Sequence, residues 1–370
     1  GADLFACFRM ESFGESWIKQ LEVIVDFGER PNGGTGGADG VFLLDCDGGR
    51  NAVDSIDLGL VHAVKKLTDV GRKSFHIAPL AFGIKGVEWY DVEIPRIPPK
   101  ENLLKLTGGY RRTPVIQIGA DIYCDSACII MELEKRYPLP SFFPTADKGM
   151  LWCLSRYTDG AFFDLAVKLV LGSAGDNLPP DFAADRGRLY LGPDWAEGLK
   201  AANAELPHIV SQMRAPLSWL EEMLSDGRQF MTGDSVAAFD AQIYYVIWFI
   251  RGRWERGPEF LSEFSKLEAW EKRMNLIGHG QSHALSGEQA LEVAAAYEPL
   301  ALDGVAGNEP QGLEVGMPIV ISPDVDGGEQ PVAGTLVSAD AHRVAIHREE
   351  DGLGNINVHF PRAGYKIQLA

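Results

Sequence analysis

The sequence predicts a multi-domain α+β protein: an α/β unit, then an all-helical region, then a small antiparallel β unit. Three observations predict it. Residues 111–137 (RRTPVIQIGADIYCDSACIIMELEKRY) read as strand, turn, strand and capped helix. Residues 145–302 carry apolar side chains at helical spacing. Beyond residue 310, short β-rich runs are divided by Gly-containing turns.

Composition narrows the class. A chain of 370 residues is long enough for two or three domains, and 46% hydrophobic residues can fill their cores. A net charge of -18 argues against nucleic acid and anionic membrane surfaces as partners. No run of uninterrupted apolar residues is long enough for a transmembrane helix, and no basic-then-apolar signal pattern opens the chain. Five cysteines without framework spacing point to a reducing, cytoplasmic setting. Cys124 and Cys128 read as core thiols rather than a redox pair.

Residues 1–75 are expected to form an α/β extension of their own. Leu21–Phe27 and Val41–Asp45 read as buried strands, Glu29–Gly40 as a glycine-rich loop, and Ser55–Leu67 as a helix. The glycine run 33–37 lacks the Lys-Ser/Thr of a phosphate loop and is read as a flexible connection. Phe75–Phe82 is too short for both a strand and a full helix, and Pro79 would interrupt a helix begun before it. Val87–Ile94 alternates as a half-buried strand, and Asn102–Leu106 makes one or two helical turns.

In the 111–137 stretch, Thr113-Pro114-Val115 feeds a short strand, Gly119-Ala120-Asp121 turns it, and Ile122-Tyr123-Cys124 returns. Asp125-Ser126 stands where a helix begins. A helix N-terminus presents unpaired N–H groups that attract a carboxylate. The Ser126 hydroxyl adds a donor, and Asp125 an acceptor for an ammonium group. A cis Pro114 would turn neighbouring backbone groups outward to pair with a peptide. A ligand with an amino-acid head and a peptide backbone, such as glutathione, fits this layout. Arg111 and Arg112 either contact an anionic ligand or are solvated.

Residues 148–171 are expected to form a helix or helix pair carrying Trp152, Tyr157, Phe162 and Phe163. Asn177–Pro193 reads as a loop, and Trp195–Leu224 as a helical segment broken or kinked near Pro207 and Pro216. Ala241–Ile250 (AQIYYVIWFI) is apolar on nearly every side and belongs in a core. Asp240 precedes it as half of a capping pair, with Ala237 where a Ser or Thr would complete the cap. Helices follow around Leu267–Ile277 and Ser286–Ala296, with His279 closing the first. In the tail, Ile319–Ile321, Val332–Val337, Arg343–His347, Asn355–Phe360 and Tyr365–Leu369 read as strands. His342, His347 and His359 lie among arginines there, and no metal site is assigned to them.

Thr113-Pro114-Val115 followed by Asp125-Ser126 resembles the glutathione site of the glutathione transferase family. Gly86–Tyr90, Pro98–Gly109 and Phe142–Pro144 resemble that family's second strand, second helix and domain exit, and the likeness spans about residues 79–297. It implies a thioredoxin-like α/β domain at 76–144, an all-α domain at 145–302 and a small β-barrel-like addition at 310–370. It further implies glutathione as co-substrate, gripped by Thr113, Pro114, Val115, Asp125 and Ser126. A small hydrophobic electrophile would lie against Tyr157, Asp159 and Phe163, in a cytoplasmic homodimer. The thiol-activating residue does not carry over; Cys46, or else Ser74 or His76, are the candidates. Two alternatives stay open: a non-catalytic scaffold with the same fold, and a separate ligand site within residues 1–75.

Overall fold

Short strands rich in Val, Ile and aromatic residues suit a sheet covered by neighbours, and the two central strands here are buried on both faces. The structure, a computed structural model, describes residues 5–10, 77–145, 147–302 and 304–370, all within one compact unit. It opens with β1 (Phe5–Met10), α1 (Ile77–Lys85), β2 (Glu88–Ile94), α2 (Glu101–Thr107), β3 (Val115–Ile118), β4 (Asp121–Cys124) and α3 (Ser126–Arg136). β1 runs parallel to β2 and antiparallel to β3, and β3 antiparallel to β4, the thioredoxin-like arrangement. Every residue of β3 and β4 is buried.

The helical region follows as α4 (Lys148–Tyr157), a π-helical turn at Thr158–Phe162, α5 (Phe163–Ala174), α6 (Pro180–Leu191), α7 (Trp195–Ala204), α8 (Leu206–Met223), α9 (Ala238–Arg253), α10 (Gly257–Leu261) and α11 (Ser265–Ile277). Then come β5 (Gln281–Leu285), α12 (Gly287–Ala296), β6 (Gly304–Val305), β7 (Pro318–Pro323), β8 (Val332–Ala339), β9 (Arg343–Glu350), β10 (Gly354–Pro361) and β11 (Tyr365–Leu369). The sheet order is β11-β7-β8-β9-β10-β4-β3-β1-β2-β5, with β6 beside β8.

Period-two alternation sends the strands' side chains to two cores. Ile116, Ile118 and Tyr123 join α1, α3 and the helical region in one core. Val115, Ile122 and Cys124 join α2, α12 and the tail strands in the other. Cys124 and Cys128 are buried free thiols.

Four expectations change. Phe5–Met10 is the sheet's first strand, not part of a separate extension ending at 75; it finds partners more than 75 residues away, which local pattern does not register. Ile77–Lys85 is a full helix, because Pro79 lies in its first turn, where a missing N–H costs nothing. Pro180–Leu191 is a helix, not a loop, since Pro180 opens it and no proline follows within it. The five tail strands form as expected, but β10 pairs in parallel with β4, so 310–370 extends the main sheet and does not stand apart. The readings at Leu21–Phe27, Glu29–Gly40, Val41–Asp45 and Ser55–Leu67 lie outside the described residues.

α9 is anchored as its sequence implies. The buried Asp240 carboxylate accepts from the backbone N–H groups of Met231 and Ala237, both at 2.9 Å, and from Trp270 Nε1 at 2.8 Å. Ala237 has no hydroxyl to return the cap. Asp240→Ala would orphan three buried donors. It is expected to cost roughly 3 kcal/mol, read as a lowered denaturant midpoint in chemical unfolding.

Candidate functional site

The β4–α3 junction places the two residues that sequence reading singled out. Asp125 caps α3: its side chain accepts from the Ala127 N–H at 2.9 Å, which satisfies one orphan donor of the first turn. It does so at φ +78° and ψ 145°, a backbone conformation that side chains rarely adopt. The Thr113–Pro114 bond is cis, and the Pro114 carbonyl accepts from the Asp125 N–H at 3.3 Å. The proline loop and the start of α3 are therefore direct neighbours. Val115 is buried between Phe8 and Cys124 in the sheet, while Thr113 and Pro114 remain half-buried.

The helical region adds a second carboxylate. Asp159 lies in the π-helical turn between α4 and α5, where Gly160 departs from helical φ/ψ. Ser126 Oγ lies 3.4 Å from Asp125 Oδ1 and 3.4 Å from Asp159 Oδ2. One hydroxyl proton serves one of these acceptors at a time. Gln242 Nε2 on α9 also reaches Asp159 Oδ2, at 3.5 Å, and donates to Ser155 Oγ. Asp125 and Asp159 are half-buried, so both keep some exposed surface.

The charge balance follows from this crowding. Burial raises Asp125 above the usual carboxylate range, against the Ala127 and Tyr365 hydrogen bonds. Burial, then the Asp125 charge, push Asp159 up to about 7, opposed by Arg156 and the Ser126 hydrogen bond. Two carboxylates joined through one hydroxyl, each raised by burial, form a site that gains by accepting a cation.

A third contributor comes from the tail. Tyr365 on β11 donates to Asp125 Oδ2 at 3.0 Å, and its hydroxyl lies 2.9 Å from that of Tyr110. Arg112 pairs with Glu329, and Arg111 Nη1 with Asp185 Oδ1 at 2.5 Å, so neither arginine is simply solvated. Lys100, buried beside them, donates to the Arg111 carbonyl at 3.1 Å; burial and the neighbouring Arg186 and Arg111 lower it to about 7.

The structure thus brings Thr113, Pro114, Val115, Asp125, Ser126 and Asp159 together. Tyr157 and Phe163 enter aromatic contacts elsewhere: Tyr157 with Phe162 and Trp219, and Phe163 with Tyr190, Tyr245 and Phe249. Cys46, Ser74 and His76 lie outside the described residues. His359 bonds Asp121 at 2.7 Å and stacks on Tyr123 at 4.3 Å, a buried clamp between β10 and β4. Sequence reading missed Gln242, Glu329 and Tyr365. Gln242 did leave a signal, as the one amide in the nearly apolar run Ala241–Ile250.

The model of the glutathione S-transferase N-terminal domain matches residues 78–141. A GST-like protein from Pseudomonas syringae is 30% identical, with a TM-score of 0.66, over 80% of this chain and 94% of its own. A tau class glutathione S-transferase from mango, Mangifera indica, is 18% identical with a TM-score of 0.40, over 54% of this chain and 81% of its own. A glutathione transferase family member from Pseudomonas fluorescens, solved with two glutathione bound, is 13% identical with a TM-score of 0.40, over 53% and 82%. Comparison with curated proteins returns no match.

The raised Asp159 makes a pH prediction. Folding takes up a proton on Asp159 between its ordinary value of 3.8 and about 7. That stabilisation is complete below 3.8 and is lost as pH rises through about 7. Asp159→Asn cannot titrate. Measured by urea unfolding across this window, the wild type is expected to lose up to about 4 kcal/mol relative to the variant as pH rises.

Proposed function

The chain belongs to the glutathione S-transferase family, and from that membership we propose that it binds glutathione and uses its thiol to conjugate or reduce a small hydrophobic electrophile. The observation that carries the proposal is the meeting of Asp159 with Asp125 and Ser126 beside the cis Thr113–Pro114 bond. The tripeptide's ammonium group would rest on Asp125 and Asp159. Its peptide backbone would run along Thr113–Val115, and a carboxylate would face the α3 N-terminus. In the conjugating step the thiol gives up its proton. The thiolate sulfur then forms a bond to carbon as the electrophile's leaving group departs or its double bond takes the electron pair. The residue that activates the thiol is unassigned; Cys46, Ser74 and His76 remain its candidates. The electrophile would lie toward α4, the π-helical turn and α5, near Tyr157 and Phe163. A cytoplasmic homodimer is the setting this function implies.

A non-catalytic binder or scaffold of the same fold, lacking a thiol-activating residue, is the alternative. Calorimetry with glutathione, together with turnover of a general aromatic electrophile, separates the two. The enzyme is expected to bind and turn over; binding without turnover supports the binder. In either case Ser126→Ala is expected to weaken glutathione binding roughly tenfold, with its melting temperature near that of the wild type. Unchanged binding in that variant would remove the site.

A further inference from the structure

One residue of the C-terminal strands, Tyr365, touches the site, and a second, Glu329, pairs with Arg112 just before the proline loop. The Tyr365 ring is held by Tyr110 and Phe360, at centroid distances of 6.3 and 5.5 Å. Its hydroxyl therefore has little freedom. With a single proton given to Asp125, it must accept from Tyr110, which sets the direction Tyr110 to Tyr365 to Asp125. Glu329, in the turn between β7 and β8, takes the Arg112 Nε donor at 2.7 Å. Its side chain is 4% exposed, and its Oε1 has no hydrogen-bond partner among the described residues. Arg188 fixes this turn through Asp326, at 2.8 Å to the carboxylate and 3.0 Å to the carbonyl.

A donor on Asp125 and a carboxylate on Arg112 are the two kinds of charged group that glutathione brings: an ammonium and, beyond the carboxylate that faces the α3 N-terminus, a second carboxylate. We infer that Tyr365 and Glu329 act as an internal stand-in for those two groups, competing with ligand and setting the affinity and selectivity of the site. The inference rests on the glutathione reading of the same site. Tyr365 satisfies an acceptor that an incoming ammonium needs. Glu329 neutralises Arg112 and faces an incoming carboxylate with like charge. A ligand must displace both contacts, so only one supplying both groups recovers what is lost. The β extension then does more than add strands to the sheet: it supplies the threshold that a ligand must exceed.

Tyr365→Phe keeps the ring and removes the donor; Glu329→Gln keeps the shape and removes the charge. Calorimetry on the full chain, with melting temperatures recorded, is the test. Each variant is expected to bind glutathione roughly tenfold more tightly than wild type, a gain that loosened packing would not produce. The Tyr365→Phe gain should vanish with N-acetylglutathione, whose amine is blocked. The Glu329→Gln gain should vanish with glutathione whose carboxylates are esterified. Wild-type binding with equal or weaker binding in both variants overturns the stand-in and leaves the glutathione site intact. No binding by wild type or either variant overturns the glutathione reading and the stand-in with it.

Discussion

A carboxylate at the start of α3 is the constraint on which three parts of the chain converge. Asp125 caps its own helix through Ala127, shares the Ser126 hydroxyl with Asp159 of the helical region, and accepts from Tyr365 of the tail. Each of these contacts satisfies part of a half-buried carboxylate that would be costly to leave without donors. The sheet supplies the rigid frame. β3 and β4 are buried on both faces, which fixes the Pro114 loop and the α3 terminus relative to each other.

Packing carries that constraint outward. α9 lies against α4 and the π-helical turn, and its Gln242 amide reaches the Asp159 carboxylate. Asp240, three donors deep, holds the N-terminus of that same helix. On the other side, β10 pairs with β4, and the His359–Asp121 clamp ties the tail strands to the strand that leads into Asp125. The site is thus built where the two cores approach each other across one short strand.

Much of this was legible in local sequence. Thr113-Pro114-Val115 and Asp125-Ser126 announce a proline loop and a helix cap, and the five tail strands show their alternation within single runs. What sequence did not disclose is non-local. Phe5–Met10 reads as a strand only once β2 and β3 are beside it. Pro180 looks like a breaker until it is seen at a helix start, where its missing N–H is no loss. Tyr365 lies 240 residues from Asp125 and Glu329 217 from Arg112, so only the folded sheet brings them together. Tyr157 and Phe163 were named with Asp159 on the family resemblance, yet only Asp159 meets Ser126; the two rings pack against other aromatic side chains.

The most direct measurement is a crystal structure of the protein soaked with glutathione. The account predicts the ligand's amino group within hydrogen-bond distance of Asp125 and Asp159, its backbone beside Thr113–Val115, and the Tyr365 hydroxyl moved off Asp125. Glutathione bound elsewhere, or the site closed with Tyr365 still on Asp125 at saturating ligand, would contradict it.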